Sequence, residues 1–197
     1  MKALLQIILL LNIVWCIDIQ ASALGPDSVY TEQAKYDVYV YEVYENFISV
    51  EKQLEPGQSE FLVLNDEYVR NCRGIRGIYY DLHNAEACIR SISQNIRPYI
   101  KPSKPKDSFS MNLILSLSGK VKNVHFYYPL NLSIPATALE QLALDIEKNC
   151  YVTFEMTEQA KEVLRGADNI PFYLSFYLDE IYYDTMDKDK EYQYRLF

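Results

Sequence analysis

Phe109, Met111, Leu113, Leu115 and Leu117 share one parity along the chain. Ser110, Asn112, Ser116 and Ser118 take the other, with Ile114 the exception. A period of two predicts a strand with one buried and one wet face. Gly119-Lys120 follows as a tight turn, with glycine supplying a positive φ. Val124, Phe126 and Tyr128 then alternate against Asn123, His125 and Tyr127, and Pro129 ends the run. The stretch therefore predicts an antiparallel hairpin with one apolar face. His125 lies on the polar parity and reads as an exposed strand residue.

The same pattern can be followed on either side. Residues 36–50, "YDVYVYEVYENFISV", are rich in Val and Tyr and predict one long strand whose phenols cover both faces. Its length, flatness and scarcity of lysine suggest an open sheet edge. Glu55-Pro56-Gly57-Gln58 signals a turn, and residues 60–71 a second strand. Ala85, Cys88, Ile89, Ile92 and Ile96 recur at three and four residues, so a helix is expected there, capped by Asn84. Pro98, Pro102 and Pro105 mark a linker.

Beyond the hairpin, Pro135 fits a first helical turn, with Ser133 as a nearby cap. Leu139, Leu142, Ala143 and Ile146 make an apolar stripe suited to cover the hairpin's buried face. Cys150, Val152 and Phe154 predict a short strand. Thr157 and the residues to Arg165 predict a short helix stopped by Gly166. Residues 170–183, apolar on both parities, predict a final strand that is central or covered on both faces. The order gives an α+β fold: an antiparallel sheet with two main helices packed on one face and extra N-terminal strands.

The N-terminus changes the picture of where this fold works. Lys2 precedes an apolar run from Ala3 to Trp15, shorter than a membrane span, and Ala21-Ser22-Ala23 offers a small-x-small cleavage site. Residues 1–23 are expected to be a cleaved secretory signal, leaving no membrane span and an exported protein, periplasmic or secreted. Residues 24–84 form a β-rich extension, 85–183 an α+β domain, and 184–197 a charged tail. Lys2 and Asp18 cancel, so the formal charge stays at −8 after cleavage. That acidic balance argues against nucleic acid as a partner.

Cys16 leaves with the signal, so Cys72, Cys88 and Cys150 remain. An oxidising compartment favours one disulfide, and Cys72–Cys88 closes the shortest loop. There is no CxxC, and His83 and His125 are the two histidines, so a zinc site has little support. Nucleophile-elbow and phosphate-cradle motifs are missing from the sequence. The Arg73-Gly74-Ile75-Arg76-Gly77 segment reads as a turn. Asp179-Glu180 and residues 184–189 lack the ligand order of a calcium loop. No catalytic residue, cofactor or metal is expected, and the chain is not expected to be an enzyme. Tyrosine is in excess, at 18 residues. Clustered phenols serve β packing, protein interfaces or sugar stacking.

From residue 85 onward the chain resembles the TonB C-terminal domain family. Gly119-Lys120-Val121 with Val124 stands at the hairpin tip, Leu139 to Ile146 in the second helix, and Pro171-Phe172 through Phe176 in the last strand. The family's Tyr-Pro near the domain start is replaced by "RPYIKP". The membrane anchor and long Pro-rich spacer of its energy-transducing members have no counterpart in this sequence. The resemblance implies a small envelope module of Gram-negative bacteria. The function expected is binding an envelope protein by strand addition along residues 36–50. The alternative is a Tyr-rich module for glycan or cell wall.

Overall fold

The computed structural model describes residues 25–55, 78–101, 107–165 and 169–186. Among these, the strands are β1 (Ser28–Gln33), β2 (Val38–Val43), β3 (Phe47–Lys52), β4 (Ile78–His83), β5 (Ser108–Ser116), β6 (Val121–Pro129), β7 (Tyr151–Met156) and β8 (Asn169–Tyr177). The α-helices are α1 (Ala85–Asn95), α2 (Ala136–Asn149), α3 (Glu158–Val163) and α4 (Leu178–Tyr183). Six strands form an antiparallel sheet in the order β1-β2-β3-β6-β5-β8, and β4 pairs with β7 as an antiparallel ribbon. The fold is α+β, with the two longer helices stacked over one face of the sheet.

The hairpin of β5 and β6 forms as its alternation predicts. Phe109, Met111, Leu113 and Leu115 are buried with Val124, Phe126 and Tyr128. Leu117 has the same parity but is exposed, because β5 stops at Ser116 and the turn carries it outward. The α2 stripe of Leu139, Leu142, Ala143 and Ile146 is buried against this face. Burying each large apolar side chain of this kind contributes roughly 1.5–3 kcal/mol. α1 adds Cys88, Ile92 and Ile96 to the same core and packs on α2.

Residues 36–50 are not one strand. Tyr44 N donates to Phe47 O at 2.8 Å, closing a turn between β2 and β3. Tyrosine occupied both parities because Tyr36 and Tyr44 belong to turns; within the strands Tyr39 and Tyr41 face the core before the reversal, and Ile48 and Val50 face it afterwards. The expected open edge is also wrong for this segment. β2 lies between β1 and β3, and β3 lies between β2 and β6. Every ladder position in the segment has a neighbour on each side, so strand addition along 36–50 is ruled out.

Other boundaries moved for identifiable reasons. Residues 78–83 pair along β7 rather than leading into the helix, and β1 had no clear alternation to announce it. β8 closes the strand order among the described residues instead of lying inside the sheet. It stops at Tyr177, and Leu178 begins α4, donating its N–H to Asp107 O at 2.9 Å. Leu178 and Ile181 are buried three residues apart, and Asp179 and Glu180 sit in the first turn. That is helical chemistry inside a β-prone stretch. The N-terminal strands are no separate layer, because β3 pairs directly with β6.

Burial of tyrosine has a measurable consequence. Tyr39, Tyr41, Tyr127 and Tyr128 all have phenol pKa values raised above the ordinary 10.0, mainly because burial disfavours the phenolate. An unfolded chain ionises these groups near pH 10, while the folded chain keeps them neutral. Their contribution to stability is therefore complete below pH 10 and is lost as pH rises above it. Each such phenol is expected to lower stability by about 1.4 kcal/mol per pH unit in that window. Urea midpoints compared between neutral pH and the phenol range check this. Alkaline difference absorbance should show fewer phenolates in the native chain than in urea.

Candidate functional site

Ala34 N donates to Asp37 O at 2.9 Å, so Lys35 and Tyr36 are the central residues of the β1–β2 turn. Nothing local satisfies the turn's remaining N–H groups. Glu140, from the middle of α2, supplies the acceptor. Its carboxylate takes N–H bonds from Lys35 at 3.0 Å, Tyr36 at 2.9 Å and Asp37 at 2.9 Å, and the residue is 3% exposed. A second carboxylate runs the other way. Pro135, the N-cap of α2, makes no side-chain cap bond, and Ala136 N donates to Glu32 Oε1 on β1 at 3.2 Å. An acidic group at that position suits the positive end of the helix. The Ser133 cap expected from the sequence is replaced by this contact. Two acid clasps thus hold β1 and its turn against α2.

β1 itself is open. It pairs with β2 alone among the described residues. Val29 is 57% exposed and Tyr30 47%, with the Tyr30 ring stacked on Tyr41 at 4.7 Å. In an antiparallel pair, residues alternate between those bonded to the neighbour and those whose backbone groups point away. Counting back from the Ala34–Asp37 bond, Glu32 and Tyr30 face β2, while Val29, Thr31 and Gln33 direct their backbone groups outward. The strand has neither lysine nor proline, the usual devices that blunt an edge.

The expected site residues fall as follows. Cys88 is a free, buried thiol in α1, and Cys72 lies outside the described residues. So do the 1–23 signal, the 60–71 strand, Gly74, Gly77, Pro102, Pro105, Gly166 and the acidic residues from 187 onward. His125 is less exposed than its parity implies: its side chain is 17% exposed, with Nδ1 3.8 Å from Glu51 Oε2. Asn84 is the N-cap of α1, but it sits at φ 62 and makes no cap bond; its Nδ2 donates to Asn149 O at 2.7 Å. Thr157 does cap α3, its Oγ1 accepting from Ala160 N at 3.3 Å.

A shallow groove of about 600 Å³ runs along α1 toward the end of α4. Of its two arginines, Arg97 is engaged: its Nη1 lies 3.3 Å from Asp184 Oδ2, and Ser93 Oγ donates to Asp184 Oδ1 at 2.8 Å. Among the described residues the exposed phenols Tyr30, Tyr36, Tyr151, Tyr177 and Tyr183 come from separate elements. Among the described residues, no three His, Cys, Asp or Glu are grouped to hold a metal. No described helix is long and apolar enough to cross a membrane.

The fold and its geometry define an α+β protein with an antiparallel sheet and an accessible strand edge. No family model and no curated protein matches the chain. Among solved structures, it is similar to a DUF5043 family protein from Bacteroides uniformis. The identity is 15%, the match covers 78% of this chain and 89% of that one, and the TM-score is 0.49. A likeness at that level carries no argument.

Proposed function

We propose that the chain is a non-enzymatic, exported module of the cell envelope that binds a partner protein by taking one of its extended segments as a strand along β1. The observation that supports this is the exposed β1 edge, clamped at its turn by Glu140 and near its C-terminal end by Glu32. A clamped edge loses little freedom on binding, so main-chain bonds to Val29, Thr31 and Gln33 add affinity with a small ordering cost. The exposed Val29 gives the incoming segment an apolar contact.

The test uses a photo-crosslinking residue at Val29 in the source cells, with and without Thr31→Pro. Proline removes an outward N–H while leaving the β1–β2 ladder intact. The expected result is one dominant protein adduct that Thr31→Pro reduces at least tenfold, with the melting midpoint within about 2 °C of the parent. An adduct indifferent to Thr31→Pro would contradict strand addition.

A further inference from the structure

Two buried thiols lie together where α1 begins and α2 ends. Cys88 sits in the first turn of α1 and is 2% exposed; Cys150 is the C-cap of α2 and is 4% exposed. Both thiols belong to one buried core cluster, and each bears on the other's ionisation. The surrounding contacts hold this junction independently of the sulfurs. Asn84 Nδ2 donates to Asn149 O at 2.7 Å, the His83 and Tyr151 rings stack at 4.4 Å, and His83 faces Tyr151 in the β4–β7 register.

We propose that Cys88 and Cys150 form a reversible disulfide that staples the start of α1 to the end of α2. The oxidant is a disulfide, either a small thiol disulfide or the dithiol site of an oxidoreductase. Cys150, as thiolate, attacks one of its sulfurs and expels the other as a thiolate, giving a mixed disulfide. Cys88 then loses its proton and attacks Cys150 sulfur, releasing the second thiol. Two thiols lose two electrons and two protons, and the oxidant is reduced to two thiols. The neighbouring Cys88 lowers the Cys150 thiol below its ordinary pKa, while Cys150 and burial push Cys88 up. The loop so closed contains the β5–β6 hairpin and nearly all of both long helices. This pairing takes Cys88 from the shorter loop with Cys72 and needs no partner at β1.

The test refolds the full chain from urea in a glutathione redox buffer, alkylates free thiols and maps the bridged peptides. The parent and Cys72→Ser are both expected to give one linked pair containing Cys88 and Cys150, lighter by two hydrogens than the reduced peptides. Reduction should lower the melting midpoint by about 10 °C. Alkylation of every thiol in the parent, or a bridge that includes Cys72, would overturn the proposal.

Discussion

Gly119→Ala is expected to lower stability by at least about 3 kcal/mol, seen as a fall of roughly 6–12 °C in the melting midpoint. Gly119 sits at φ +81 in the β5–β6 turn, a region that costs other residues roughly 1–2 kcal/mol. The larger cost is steric. A methyl carbon at this position would overlap the carbonyl of Val152 in β7, which is backbone and cannot rotate aside. Val152 N donates to Gly119 O at 2.9 Å, and Lys120 bridges to Tyr151. Relieving the overlap therefore means parting the hairpin tip from the β4–β7 ribbon. Thermal melts of the parent and variant measure the effect. A change under about 1 kcal/mol would show that the tip and ribbon are not in contact.

Glu140→Ala is expected to cost about 3–4 kcal/mol, and Glu140→Gln about half as much. The alanine leaves three turn N–H groups without their acceptor, whereas glutamine keeps one carbonyl oxygen but loses the charge and the second acceptor. The cost should fall on the β1–β2 turn, since Tyr39 and Tyr41 carry the adjoining core. Urea unfolding of the two variants measures the ranking. Equal values for alanine and glutamine would mean that packing of the side chain, rather than its hydrogen bonds, holds the turn. Because Glu140 positions the proposed edge, Glu140→Ala should also weaken the Val29 adduct.

Much of the core was legible because burial follows simple periods. The β5–β6 hairpin, the α2 stripe and the Ile92–Ile96 face of α1 each had one face to bury and one neighbour to bury it against. Three features were hidden for physical reasons. The Glu45-Asn46 turn lacks glycine, so β2 and β3 read as one strand. α4 is built from β-prone Leu, Ile and Tyr, and its helicity comes from acidic residues at its start and from docking of Leu178 and Ile181. The Glu140 clasp joins residues over a hundred positions apart, so no local pattern carries it. A glutamate in the middle of an apolar stripe was its only trace. The β1 edge was hidden in the same way, since "SVYTEQ" is mostly exposed and shows no alternation.

Strand addition requires that β1 present a free edge. Residue-resolved amide hydrogen exchange of the unbound chain measures this directly. Fast exchange at Val29, Thr31 and Gln33, alternating with protection at Tyr30 and Glu32, is the expected result. Protection of Val29, Thr31 and Gln33 equal to that of Val38–Val43 would mean the edge is already covered, and strand addition at β1 would be contradicted.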